Sequence, residues 1–297
     1  MMSIFIDENL PAYEILKAED IDVCSKNSNI YKSKCHSALN ILILNLMPQK
    51  SKSETQLIRR LGSSLLDINI TLLKTKTHKS KNTDETYLST FYKTIDEIKE
   101  ENFDGAIITG APIELLEFEE VDYFNELKEI FDYCKEKVKS TLYICWGAQA
   151  GLYYHYGIPK YKLDKKLFGV FSHKLITPSK LTKMFDDEFY APHSRYTYTK
   201  GEDVLKCDKL QIIAESKDAG VYMVQSKDLK SIFVTGHSEY DKFTLYDEYK
   251  RDLNKNIEID IPKNYFLNDD PNNKPIVKWR SHGNMLFSNW LNIVNSL

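Results

Sequence analysis

Residues 143–151 read Tyr143-Ile144-Cys145-Trp146-Gly147-Ala148-Gln149-Ala150-Gly151. With Thr141 and Leu142 before them, they predict a strand over 141–145 that ends at a cysteine. A helix over 147–154 then starts among small residues. This is the layout of a nucleophile elbow, which raises a reactive side chain on a tight turn at the top of a sheet. Small residues let the helix pack close, and its positive end favours negative charge on the sulfur. The backbone N–H of Trp146 is then placed to stabilise an oxyanion. Free cysteines are often only buried. Cys24, Cys35, Cys134 and Cys207 are read that way or as surface residues, whereas the elbow favours a nucleophile at Cys145.

Working upstream, apolar runs of strand length alternate with helical spacing. Strands are predicted over 39–45, 68–73 and 104–109. Helices are predicted over 53–61, 87–100 and 121–134, the second with Leu88, Phe91, Ile95 and Ile98 on one face. Residues 1–38 read as polar and irregular, with one short helix over 12–19. Downstream, four strands over 169–176, 210–215, 220–225 and 231–236 lie close together and read as antiparallel. Helices follow over 241–254 and 283–295, with a loop over 261–275.

Alternating strands and helices imply an α/β fold with a mostly parallel sheet, helices on both faces and peripheral additions. One domain over 1–297 is expected, with 1–38 as an N-terminal extension and 39–297 as a catalytic core that includes the C-terminal helix. Ligands in such sheets bind beyond the carboxyl ends of the strands. Asn45, Gly110 and Cys145 each fall at such an end.

Composition narrows the function. The chain of 297 residues is 42% hydrophobic and 28% charged with a net charge of −3, which gives no electrostatic footprint for nucleic acid or a membrane surface. No apolar stretch approaches a membrane span, and residues 1–10 carry Asp7 and Glu8 with no signal-peptide core. Five cysteines without a Cys-x-x-Cys, and no His-x-x-x-His pair, argue against a disulfide framework and a zinc site. A reduced, cytoplasmic protein is expected. There are 35 lysines and only five arginines, so an arginine is a candidate for a place that needs a planar fork. Arg59 and Arg60 read as the surface of a helix.

A thiol nucleophile needs a base. Among seven histidines, His237 ends an apolar strand in Thr235-Gly236-His237-Ser238-Glu239, and in extended backbone Glu239 points to the same side. A carboxylate there fixes the imidazole tautomer while the other ring nitrogen faces the thiol. On spacing alone this is a strand-end histidine beside an acid; the cysteine elbow makes it a triad. The Gly110-Ala111-Pro112 turn offers a second oxyanion N–H, from Ala111.

Asn45-Leu46-Met47-Pro48, Thr109-Gly110-Ala111-Pro112, the Cys145 stretch, Ala191-Pro192-His193-Ser194-Arg195-Tyr196 and Trp279-Arg280-Ser281-His282-Gly283 together resemble the homoserine O-acyltransferases of methionine biosynthesis. The resemblance runs from Leu10-Pro11-Ala12 to Asn289-Trp290-Leu291. It implies a class I glutamine amidotransferase-like, flavodoxin-like fold and a cytoplasmic homodimer. It implies Cys145 as acyl-thioester nucleophile, His237 as base and Glu239 as its orienting acid. It also implies substrate contacts at Lys166, Ser194 and Arg251. Taken alone these three read as a solvated lysine, a turn hydroxyl and an exposed helix residue. Ser238 departs from the proline many relatives carry. No permanent cofactor is implied, with acetyl-CoA as co-substrate and homoserine as acceptor. The acyl group is expected to be set by Glu114, with Ser194 also implied in specificity. Glu114 follows the Gly110 turn and would repel a succinyl carboxylate. Members with Glu here resemble the acetyl-transferring group. The alternatives are succinyl transfer, or a glutamine amidotransferase-type hydrolase.

Overall fold

The computed structural model describes residues 3–78 and 82–297. Met1 and Met2, at the head of the stretch read above as lacking a signal core, lie outside it. The strands are β1 (Ile4–Ile6), β2 (Val23–Ser25), β3 (Leu39–Leu44), β4 (Ile68–Leu73), β5 (Tyr92–Lys93), β6 (Phe103–Ile108), β7 (Val138–Ile144), β8 (Tyr161–Leu175), β9 (Glu188–Tyr198), β10 (Leu210–Ser216), β11 (Gly220–Ser226) and β12 (Ser231–Val234). The helices are α1 (Pro11–Ala18), α2 (Asn29–Lys34), α3 (Lys50–Leu61), α4 (Glu85–Phe91), α5 (Ile95–Ile98), α6 (Phe124–Lys137), α7 (Trp146–Tyr156), α8 (Gly201–Leu205), α9 (Thr244–Asn254) and α10 (Arg280–Ser296).

The strands form one sheet in the order β2-β1-β4-β3-β6-β7-β12-β11-β10-β8-β9, with β5 on β4. Every pair from β2 to β12 is parallel, and every pair from β12 to β9 is antiparallel. Helices cover both faces of the parallel half, so its strands are buried on both sides and read as unbroken aliphatic runs. Ile41, Leu42, Ile43 and Leu44 of β3 are all at most 1% exposed. On one face the indole of Trp290 in α10 lies over Gly105 of β6, where even a methyl group would stand about 3.0 Å from the ring.

Three expectations are corrected. Residues 1–38 are not irregular: β1 and β2 extend the sheet through three-residue strands, and α1 buries Ala12 and Leu16. The helix expected over 87–100 is two helices, broken where Tyr92 and Lys93 pair with β4. The helix expected over 121–134 begins at Phe124, after a 3-10 turn at Phe118–Glu120. Strand β12 is antiparallel to β11 but parallel to β7, so it joins the two halves. Strand β9 was not anticipated.

Candidate active site

The carboxyl ends of β3, β6, β7 and β12 meet at one edge of the sheet, and the elbow stands there. Cys145 leaves β7 with φ +52° and ψ −116°, a backbone conformation few non-glycine residues adopt and one that clusters at functional sites. Its N–H donates to Val234 O at 2.7 Å, and its carbonyl accepts from Gln149 N–H at 3.2 Å, so strand and helix both grip the strained residue. Small residues are needed as the sequence implied. A Cβ on Gly147 would stand 2.6 Å from Thr109 O, and one on Gly110 would stand 3.1 Å from Cys145 Cβ. Trp146 is the first residue of α7, where backbone N–H groups have no partner within the helix. The Gly110 turn lies directly against that N–H, since the same Cβ would be 3.6 Å from Trp146 N.

His237 follows β12 and is buried. Its N–H donates to Pro192 O at 2.8 Å, and Nδ1 lies 2.6 Å from Glu239 Oε1. Tyr240 stacks on the ring at 4.1 Å and 16°. Burial opposes charge on the imidazole, but the Cys145 sulfur and the Glu239 carboxylate outweigh it and hold His237 well above the usual histidine range. Imidazole and carboxylate are therefore paired, with the Cys145 sulfur acting on the same ring.

The late motifs hold this loop. Trp279 Nε1 donates to Tyr240 O at 2.8 Å. Gly283 lets α10 approach, because a Cβ there would be 2.7 Å from Ser238 O. Ser238, the departure from proline, places its buried hydroxyl 2.5 Å from the Tyr222 hydroxyl. Arg195 uses its fork fully, donating to Thr197 O and Ala219 O at 2.5 and 2.6 Å from a buried position. Arg60 corrects the surface reading: it is 3% exposed and donates to Tyr240 O and Asn284 Oδ1.

Cys145 and His237 open into a cavity of about 390 Å³ that also takes in Glu114, Lys166, Ser194 and Arg251. One wall is a charged network. Lys166 Nζ lies 3.3 Å from Asp252 Oδ2 and 3.5 Å from Glu248 Oε2. Arg251 Nε lies 2.7 Å from Asp252 Oδ1. The hydroxyls of Ser194 and Tyr240 donate to Glu248 at 2.5 and 2.9 Å. Burial opposes charge on Asp252, yet Arg251 and Lys166 hold its carboxyl below the usual range. Such a wall, carrying both signs of charge, suits an amino-acid zwitterion. Burial pushes the Glu114 carboxyl up, partly offset by N–H donors from its own residue and Tyr196 and by the charges of Lys166 and His237.

Sequence reasoning missed Tyr240, Glu248 and Asp252, which have no motif of their own and join the site only through folding. It also missed Lys50, a buried lysine whose ammonium donates to Asn45 O at 2.5 Å. Burial pushes that ammonium down to about 8, with Glu54 opposing. Among the described residues no group of three His, Cys, Asp or Glu could hold a metal ion. No helix among them is long and apolar enough to cross a membrane.

Fold and site together define an α/β protein of the class I glutamine amidotransferase type with a Cys-His-Glu constellation at the sheet edge. A glutamine amidotransferase from Thermotoga maritima aligns with TM-score 0.58 at 13% identity, over 86% of this chain and 98% of that one. One from Methylobacillus flagellatus aligns with TM-score 0.53 at 11% identity, over 86% and 95%. These likenesses establish the fold. The family model described as homoserine O-succinyltransferase matches residues 3–296, and the chain belongs to that family. Among similar proteins, the homoserine O-acetyltransferase of Clostridium novyi is 56% identical over 98% of this chain and 96% of its own. Homoserine O-acetyltransferase 1 of Ilyobacter polytropus is 55% identical over the same shares. That of Bacteroides fragilis is 52% identical over 98% and 95%.

Proposed function

We propose that this protein transfers an acetyl group from acetyl-CoA to the hydroxyl of L-homoserine, giving O-acetyl-L-homoserine and CoA for methionine biosynthesis. The observation that carries the reading is the 2.6 Å contact of His237 with Glu239 behind a cysteine held at positive φ, with Cys145 and His237 facing a cavity whose far wall is charged. The names of the similar proteins support the choice of acyl group and acceptor.

Cys145 attacks the thioester carbonyl while His237 holds the thiol proton. The carbonyl oxygen takes the negative charge between the N–H groups of Trp146 and Ala111. The carbon–sulfur bond to CoA breaks and CoA leaves with a proton. One thioester replaces another, so the step is nearly balanced in free energy. Homoserine then enters with its charged groups toward Lys166, Ser194 and Arg251. His237 takes its hydroxyl proton, the oxygen attacks the acyl-enzyme, and the thiolate is regenerated. Ping-pong kinetics follow. The reading extends to a single catalytic unit over residues 1–297, acting in the cytoplasm as a homodimer without a resident cofactor.

The test offers homoserine with acetyl-CoA, homoserine with succinyl-CoA, and glutamine alone. O-acetylhomoserine in the first is the expected product. O-succinylhomoserine as the better product, or ammonia from glutamine with no acyl transfer, would replace this reading by one of its alternatives.

A further inference from the structure

We propose that the coenzyme lies along the carboxyl edge of the sheet, its pantetheine arm crossing the ends of β6 and β3 and its phosphates meeting Lys74 and Lys76 beyond β4. The inference rests on the acyl-CoA reading and assigns a subsite to it. The cavity at Cys145 has two ends of opposite character. One holds Lys166, Arg251 and Asp252 and suits a zwitterion. The other is apolar, formed by Met47, Pro48, Ala111, Pro112, Ile113 and Leu116, and these six residues also line a second cavity of about 850 Å³. The two therefore adjoin at this apolar sill. Leu116 lines both cavities and is 43% exposed.

Beyond the sill the second cavity reaches Lys74 and Lys76, just past β4. Lys74 Nζ is 3.1 Å from Glu85 and Lys76 Nζ is 2.8 Å from Asp96. Both acids are exposed, and each ammonium keeps further N–H donors for a phosphate. The span fits. From β7 to β4 the order is β7-β6-β3-β4, three strand spacings or about 14 Å. The arm from the thioester sulfur to the pyrophosphate is as long as four to five extended residues, about 15 Å. A chain anchored at Cys145 and laid across the strands thus reaches the lysines with its pyrophosphate.

The test uses the full-length protein carrying Lys74→Ala and Lys76→Ala together. Acetyl-CoA is compared with S-acetyl-N-acetylcysteamine, a thioester without the nucleotide and phosphates. The ratio of kcat/KM for the two donors is expected to fall about tenfold, as for lost charge-assisted contacts. CoA itself, titrated calorimetrically, is expected to bind more weakly by a similar factor and with less salt dependence. A variant with wild-type melting temperature and an unchanged ratio and CoA affinity would overturn the subsite. So would a fall produced by Arg280→Ala instead, in the separate cleft that also holds Arg59 and Arg60. If homoserine proves not to be the acceptor, the proposed function fails, whereas CoA affinity still reads the subsite.

Discussion

Replacing Glu114 by glycine tests the choice of acyl group. The Glu114 side chain is half-buried in the cavity that holds Cys145, and the carboxylate of a succinyl group would enter that space. Two negative charges about 4 Å apart at an effective dielectric near 20 repel by about 4 kcal/mol. That is a discrimination on the order of 10³. Lys166 and His237 face the same carboxyl and weaken its field. If they cancel half of it, about 2 kcal/mol and roughly 30-fold remain. Glu114→Gly is therefore expected to move the kcat/KM ratio of acetyl- to succinyl-CoA toward succinyl by a factor between about 30 and 10³. The pH dependence has a definite sign. Burial raises the Glu114 pKa, so falling pH neutralises the group sooner than an ordinary glutamate and removes the repulsion. Selectivity for acetyl-CoA should decline as pH falls in the wild type and stay flat in the glycine variant. A wild type that prefers succinyl-CoA, or an unmoved ratio in Glu114→Gly, would refute the reasoning.

Glu239→Gln keeps the shape beside His237 but removes the charge that stabilises imidazolium; turnover is expected to drop on the order of 10²-fold or more, and an unchanged kcat would show that another group orients the ring. Gly147→Ala drives a methyl group to 2.6 Å from Thr109 O, with an expected loss of about 1–3 kcal/mol visible as a lower melting temperature together with lower kcat. A fully stable and active alanine variant would mean that α7 can retreat from β6. Arg251→Lys keeps the positive charge but loses the fork beside Asp252; KM for homoserine should rise about tenfold with kcat nearly constant, and a change confined to the KM of acetyl-CoA would move Arg251 to the other substrate.

The parallel half of the sheet was legible because strands buried on both faces write themselves as aliphatic runs, as in Leu39–Leu44. The elbow at Cys145 was legible because such a turn needs small residues next to it, and Gly147 has no room for more. Strand β9 escaped for a physical reason: it lies at the end of the sheet order, where a proline is tolerated. Pro192, His193 and Arg195 break the apolar signal. Strands β1 and β2, three residues each, are too short for any period. In residues 87–100 the apolar spacing continues across a break, so the turn was invisible, although Thr94 and Glu97 form a capping box that marks a new helix start. Lys166, Ser194 and Arg251 had no signal beyond the family resemblance, because they lie on β8, β9 and α9 and meet only in three dimensions. Tyr240 and Glu248 were hidden in the same way.

The covalent intermediate is the centre of this account, and intact-protein mass spectrometry tests it most directly. The protein is exposed to acetyl-CoA without acceptor, digested to locate any adduct, and then given homoserine. The expected result is the mass of one acetyl group on the peptide carrying Cys145, no adduct in a folded Cys145→Ala variant, and loss of the adduct when homoserine is added. An enzyme that turns over yet carries no acetyl group on Cys145 under these conditions, or carries it on another residue, would contradict the account.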